Sequence, residues 1–89
     1  MTARVPRVRY DSDADVLYIS TQPGERGIAK ESLPGVLWRY SPNSGSIVGV
    51  TIIKFSGYWD AHIDALIDDL EHHLHIGHGM AKRLLDVKH

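Results

Sequence analysis

Four of the six histidines of this 89-residue chain lie within the nine-residue stretch EHHLHIGHG, residues 71–79. Imidazole nitrogens are common zinc ligands, and a protein zinc site holds its ion through three or four converging side chains. On a helix, His72 and His75 are three residues apart and can point in the same direction. Glu71 lies beside them, and His78 follows at the same spacing. The candidate ligands of a divalent metal are therefore His72, His75, Glu71 and His78.

The same histidines also fit an ordinary helix end. Imidazoles in a last turn interact favourably with the negative end of the helix dipole, and Gly77 is a natural stop between His75 and His78. Only the pair His72 and His75 is fixed by spacing, whereas zinc needs at least one further ligand. The H-E-x-x-H motif of zinc hydrolases is absent from the sequence. The pattern favours a structural role, and we expect no tightly bound zinc at neutral pH.

The sequence gives little support for thiolate, calcium-binding or catalytic sites. The chain has no cysteine, which excludes disulfides, thiolate catalysis and zinc–thiolate sites. Asp11, Asp13 and Asp15 match the first, third and fifth places of a calcium loop. Val16 and Gln22, however, stand where that loop needs a glycine and a bidentate acid, so DSDAD is predicted to be a hairpin turn. There is no G-x-S-x-G motif and no glycine-rich phosphate loop, so no catalytic residue is assigned.

Charge and hydropathy restrict the partners and the compartment. The formal net charge is −1, which gives no general attraction to nucleic acid or to an anionic membrane. No apolar run approaches membrane-spanning length, and the amino terminus lacks the apolar segment of a secretion signal. We therefore expect a bacterial-type cytoplasmic protein without a membrane or nucleic-acid partner.

The first two thirds of the chain show strand patterns. Residues 5–10, 16–20, 36–40 and 46–55 are rich in β-branched and aromatic residues, and residues 28–32 carry a weaker pattern. The segments DSDAD, PG and SPNSG between them are turn signals. Successive strands joined by short turns favour an antiparallel β-meander of about four strands over residues 5–55.

The last third has helical spacing. The apolar residues of this segment fall on one stripe: Trp59, Ile63, Leu66, Ile67, Leu70 and Leu74. A helix is predicted over residues 58–76, with Ser56 or Gly57 as its cap. Residues 78–89 are expected to form a tail or a short second helix. Since no repeat or linker divides the chain, we predict a single α+β domain over residues 1–89.

The segment YDSDADVLYI resembles the opening of a small, mostly bacterial family, the domain of unknown function 2283. Members begin with Tyr-Asp, two variable residues and Ala-Asp, followed by an aliphatic–Leu–Tyr–Ile strand. A second element, a glycine turn before a Gly-Ile-Glu-Ile-like strand, is matched by residues 45–52. Thr51 departs from it, because many relatives carry an acid there. The resemblance covers residues 8–55, and its signature residues are Tyr10, Asp11, Ala14, Asp15, Leu17, Tyr18 and Gly49.

The resemblance implies a compact β-meander without an assigned activity. Some members are encoded beside small toxin-like proteins, which implies an antitoxin-like role in binding such a protein. We therefore expect a small non-catalytic protein-binding module. The alternative is a metal- or ligand-binding protein, or an enzyme, that uses the histidine-rich helix end.

The strand predicted over residues 46–55 is apolar on both faces. Its two sets are Val48, Val50 and Ile52 on one face and Ile47, Ile53 and Phe55 on the other. A single helix covers only one face of a sheet, so the second face would expose an apolar patch. The expected solution is a homodimer with a two-fold axis, and the alternative is that residues 78–89 fold back over the second face.

Overall fold

The computed structural model describes residues 6–22 and 27–86. Its strands are β1 (Arg7–Asp11), β2 (Val16–Ser20), β3 (Ile28–Leu33), β4 (Val36–Tyr40) and β5 (Ile47–Ile53). All four pairings are antiparallel, in the spatial order β1-β2-β5-β4-β3. The predicted α+β class with an antiparallel sheet is confirmed. The sheet has five strands rather than about four, because the weak pattern at residues 28–32 forms the edge strand β3.

The strand order departs from a sequential meander. β3 lies at the far edge, and the chain returns through β4 so that β5 lies between β2 and β4. β5 is the longest strand, and Val48, Val50 and Ile52 on it are at most 1% exposed. Such a strand is most stable at the centre, where both of its edges are hydrogen-bonded and its neighbours cover it. The edge strands carry charged residues instead, which discourage further pairing.

The predicted turns are confirmed. In the β1–β2 hairpin, Oδ1 of Asp11 accepts the backbone N–H groups of Asp13 (3.1 Å) and Ala14 (3.2 Å). Gly35, with φ +83°, closes the β3–β4 turn, and Gly45, with φ +75°, lies in the β4–β5 turn. Both angles are in the left-handed region that favours glycine.

Two helices follow the sheet. A 3₁₀ turn (Trp59–His62) leads into α1 (Ile63–Leu74), and α2 spans His78–Leu85. The helix predicted over residues 58–76 therefore starts as a 3₁₀ turn and ends early, because His75 takes a left-handed conformation with φ +55°. The expected caps, Ser56 and Gly57, donate their backbone N–H groups to Asp15 instead. Within the described residues no helix is long and apolar enough to cross a membrane.

Both helices pack on the same face of the sheet. The buried core contains Leu17, Ile19, Val36, Trp38, Val50, Ile52, Phe55, Trp59, Leu66, Ile67, Leu70, Ala81, Leu84 and Leu85. The predicted burial of Trp59, Leu66 and Leu70 is confirmed, and Ile63 and Leu74 pack against the margin of this core. Since α2 contributes to this core, the part of the tail that the structure describes does not cover the second face. Residues 87–89 lie outside the described ranges.

Two side chains expected on the second face turn towards the core. Lys54 adopts a left-handed conformation with φ +58°, which redirects Phe55 inward, where it is 1% exposed. A register shift at the start of β5 allows Ile47 to pack against the core as well. The prediction that Ile47 and Phe55 share the second face was wrong. Ile53 does lie there and is 38% exposed.

Candidate functional site

The face of the sheet turned away from the helices carries its own set of side chains. The strand register aligns one residue of each strand in a single row: Arg9, Tyr18, Thr51, Leu37 and Glu31. Adjacent rows add Val16 and Ile53 on one side and Ser20, Gly49 and Arg39 on the other. We call these ten residues the outer face.

The apolar side chains of the outer face are only half-buried. Val16, Tyr18 and Leu37 are partly exposed, and none of them belongs to the core cluster. Their sequence neighbours on the opposite face, such as Leu17 and Val36, are fully buried beneath the helices. The sheet therefore has one covered face and one face with partly exposed apolar residues.

Two arginines lie over the outer face. The guanidinium of Arg9 stacks above the ring of Tyr18, 4.4 Å from its centroid. The guanidinium of Arg39 lies across Gly49, where a Cβ would collide with it and would also lie 2.7 Å from the carbonyl oxygen of Ile19. Glycine at position 49 thus allows Arg39 to lie flat on the sheet. The outer face combines apolar area with positive charge near its centre.

A network of hydrogen bonds centred on Asp15, here called the Asp15 network, joins the β1–β2 turn to the end of β5. The carboxylate accepts the Tyr10 hydroxyl (2.5 Å), the backbone N–H and hydroxyl of Ser56 (both 2.8 Å) and the Gly57 N–H (2.9 Å). The Tyr10 hydroxyl, followed by the Ser56 N–H, holds the pKa of the Asp15 carboxyl far below its usual range. A carboxylate so fully engaged is a structural anchor and a poor proton acceptor.

The histidines near the end of α1 do not converge on one point, although the rings of His72 and His73 lie edge to face with centroids 5.3 Å apart. Nδ1 of His78 lies 3.0 Å from Oε2 of Glu71, whereas His72 and His75 are exposed. Of the four candidate ligands, the structure thus brings Glu71 and His78 together and leaves His72 and His75 apart from them. Within the ranges 6–22 and 27–86, no group of three His, Cys, Asp or Glu residues is placed to hold a metal ion.

His73, which the spacing analysis passed over, has the most developed environment of these histidines. Its Nδ1 donates towards Asp69, 2.9 Å from the backbone oxygen and 3.2 Å from Oδ1. Its ring stacks on Trp38, with centroids 4.4 Å apart and an interplanar angle of 12°. The carboxylate of Asp69 also accepts the Trp38 indole N–H (2.8 Å) and the Ser32 hydroxyl (2.7 Å).

The tautomer of His73 determines which of its ring nitrogens is available to a ligand. A carboxylate that holds the Nδ1 proton leaves Nε2 as the basic nitrogen of the ring. His73 borders a shallow groove together with Thr21, Gln22, Tyr40 and His75. The i, i+4 spacing of Asp69 and His73 on a predicted helix was a signal for the pair. The contribution of Trp38 from a distant strand was not visible in the sequence.

Comparison with known families identifies the chain. A family model described as Protein of unknown function (DUF2283) matches residues 7–56, 50 of the 89 residues. The chain belongs to this family. No match was found among curated proteins or among solved structures. The DUF2283 segment includes the whole sheet and ends at Ser56, so it contains nearly all of the Asp15 network, while both helices follow it.

The structure shows where each of the seven DUF2283 signature residues lies. Asp11 and Ala14 form the β1–β2 turn, Tyr10 and Asp15 form the network that fixes this turn to the end of β5, and Leu17 is buried in the core. Tyr18 and Gly49 instead lie on the outer face. Five of the seven signature residues are therefore explained by folding, Gly49 is buried beneath the Arg39 guanidinium, and Tyr18 is partly exposed.

Proposed function

We propose that this DUF2283 protein is a small, non-catalytic protein-binding module that binds through the outer face of its sheet. The observation that carries the proposal is the partial exposure of Tyr18, Leu37 and Ile53 on the face opposite the helices. Contiguous exposed apolar residues mark interaction sites, and aromatic residues and arginine are enriched at protein interfaces. Tyr18 and the two arginines above the sheet have this composition.

The shape and charge of the outer face favour a protein over other ligands. Small-molecule sites are concave, whereas a sheet face is broad and shallow. A nucleic-acid site needs a basic stripe, but Asp11 and Glu31 lie on the same side of the sheet as Arg7, Arg9 and Arg39, and the chain has a net charge of −1. The family resemblance supports a partner in the bacterial cytoplasm. A small toxin-like protein is one candidate.

Capture from the native host tests the proposal. Tagged wild-type protein is compared with Tyr18→Asp and Leu37→Asp, which place a charge in the apolar centre of the outer face. Lys82→Glu on the exposed side of α2 is the control for a change of charge. We expect the wild type and the control to retain a protein in stoichiometric amount, either an untagged copy of this chain or another chain.

The two outer-face variants should lose that protein while keeping the circular dichroism spectrum of the wild type. Retention of the same protein by all four forms would contradict the proposal, and so would the absence of any stoichiometric protein on the wild type. Because the experiment compares surfaces on one folded chain, a loss limited to Tyr18→Asp and Leu37→Asp assigns binding to the outer face.

A second candidate function is ligand or metal binding at the helix end, favoured by the His73–Asp69 pair beside its groove. Metal analysis of the purified untagged protein and calorimetry with zinc test it. Stoichiometric zinc binding with a sub-micromolar dissociation constant, abolished by His73→Ala or by His72→Ala and His75→Ala, would support this function. We expect only weak binding, because the structure places Glu71 and His78 together but not the other two ligands.

A further inference from the structure

The central row of the outer face is asymmetric in charge. It begins with Arg9 on edge strand β1, passes through Tyr18, Thr51 and Leu37, and ends with Glu31 on edge strand β3. Both charged end residues are exposed. The Oε2 atom of Glu31 accepts the backbone N–H of Gly35 at 2.8 Å, which holds the carboxylate close to the sheet. The row thus has a cation at one end and an acid at the other, with Tyr18, Thr51 and Leu37 between them.

We propose that the outer face binds the outer face of a second copy of this chain, in a two-fold dimer whose axis runs parallel to β5. This inference rests on the proposed function and names its partner. Reversal of the strand order across the interface places β1 of one protomer over β3 of the other. Each Arg9 then lies opposite the partner's Glu31, and each Tyr18 lies opposite the partner's Leu37.

The other symmetric arrangement is disfavoured by charge. A two-fold axis in the interface but perpendicular to the strands would place every strand over its own copy. Arg9 would then meet the partner's Arg9, and Glu31 would meet the partner's Glu31. Arg7 would meet the partner's Asp11 in that arrangement, but its two like-charge contacts oppose association. The axis parallel to β5 brings only the two Arg39 guanidinia together, so the charges favour it.

The distances in such a dimer suit these side chains. Two sheets packed face to face lie about 10 Å apart, with their strands within about 30° of each other. An arginine and a glutamate extended from opposite sheets span this gap, so Arg9 leaves the ring of Tyr18 and Glu31 leaves the Gly35 N–H when the pair forms. Gly49 on the central strand carries no side chain of its own, and only the flat guanidinium of Arg39 rises above it. At the two-fold axis the guanidinium of Arg39 therefore faces that of the partner's Arg39.

The area of the outer face is sufficient for a small dimer interface. Five strands spaced about 4.8 Å apart and about 16 Å long give a projected face of about 400 Å² per protomer. With the relief of the side chains, the pair buries on the order of 1,000 Å² in total, the lower end for a specific interface. The apolar centre formed by Tyr18 and Leu37 supplies the attraction, and the two Arg9–Glu31 pairs at the rim fix the orientation.

Charge reversal followed by mixing tests this arrangement. Arg9→Glu alone creates two contacts between glutamates in the dimer, and Glu31→Arg alone creates two contacts between arginines. We expect each variant to dimerise at least about tenfold more weakly than the wild type in sedimentation experiments. In an equimolar mixture, the glutamate introduced at position 9 of one chain faces the arginine introduced at position 31 of the other, and native Glu31 faces native Arg9. Native mass spectrometry should therefore show the mixed dimer in excess over both self-dimers.

The double variant Arg9→Glu/Glu31→Arg should restore the homodimer, whereas Lys82→Glu should leave dimerisation unchanged. Failure of the mixture to form the mixed dimer, with both variants folded by circular dichroism, would overturn the arrangement. A wild type that remains a monomer at hundreds of micromolar would overturn the dimer itself. The proposed function would survive that result if the capture experiment retains a different protein that Tyr18→Asp releases, and would fail if it retains none.

Discussion

Asp15 occupies a backbone conformation that suits few residues. Its φ is +58°, in the left-handed region that asparagine and aspartate tolerate better than other residues with a side chain. From this position its carboxylate reaches Tyr10 in the adjacent strand and Ser56 beyond β5. The Asp15 network therefore joins segments 41 residues apart in sequence. The position of Asp15 depends on the turn that Asp11 forms, so the two signature acids have separate structural tasks.

Asp15→Asn separates the charge from the backbone conformation. We expect it to lower the free energy of unfolding at pH 7 by about 1–2 kcal/mol, because charge-assisted hydrogen bonds become neutral ones. The folded-state pKa of Asp15 lies below its unfolded value of about 4. Its stabilisation is therefore complete above that value and is lost as the pH falls towards the folded pKa. Urea unfolding at pH 7 and pH 3 measures both effects.

The difference between wild type and Asp15→Asn should shrink at the lower pH. Asp13→Asn, an exposed acid in the same turn, is the control and should leave the pH dependence of stability close to that of the wild type. A difference between wild type and Asp15→Asn that is equal at pH 7 and pH 3 would show that the charge of Asp15 contributes nothing.

Among the secondary-structure elements, α1 is fixed to the sheet by polar as well as apolar contacts. Leu66 and Leu70 are fully buried beneath it, and Asp69 binds Trp38 of β4 and Ser32 of β3 through its carboxylate. Whereas the indole N–H of the buried Trp59 has no hydrogen-bond partner among the residues that the structure describes, that of the buried Trp38 donates to Asp69 on the helix. This bond sets the position of α1 along the sheet, and the stacked ring of His73 covers the face of the indole.

Asp69→Ala should destabilise the protein by about 1–3 kcal/mol, because it leaves the indole N–H of Trp38 buried without an acceptor. Asp68→Ala changes the adjacent, exposed acid and should cost less than about 0.5 kcal/mol. Urea denaturation followed by tryptophan fluorescence measures both variants. Equal losses in the two variants would mean that the charge on α1, and not the contact to Trp38, matters at this position.

The elements also show what the sequence could predict. Period-two and helical spacing predicted four of the strands and the stripe on α1, since these patterns depend on residues close together in the chain. The central position of β5 depends on pairing between distant segments and was not predicted. Phe55 was assigned to the wrong face, because the left-handed Lys54 interrupts the alternation. The environment of His73 likewise required the packing of α1 against β4.

At the scale of the whole molecule, the two faces of the sheet differ, because the helices cover only one of them. The DUF2283 segment supplies the sheet, and the helices that follow it bury the inner face with residues such as Leu70 and Leu84. They leave the outer face with Tyr18, Leu37 and Ile53 partly exposed. The described part of the chain thus forms two layers, and a second copy would make four layers with two sheets at the centre. Stability should then depend on protein concentration.

The apparent melting temperature of the wild type should rise with protein concentration, because association draws the folded state into the dimer. A tenfold increase in protein concentration adds about 1.4 kcal/mol to the apparent free energy of unfolding of the dimer. With an unfolding entropy of about 2.1 cal/mol/K per residue, two 89-residue chains give about 0.37 kcal/mol/K. When folding and pairing are coupled, the rise is therefore about 4 °C per tenfold increase; a protomer stable on its own gives a smaller rise. Scanning calorimetry from 10 μM to 1 mM protein measures this rise in melting temperature. Arg9→Glu weakens pairing without changing the core, so its melting temperature should depend less on protein concentration. A wild-type melting temperature independent of concentration over this range would show that the outer face does not pair with itself.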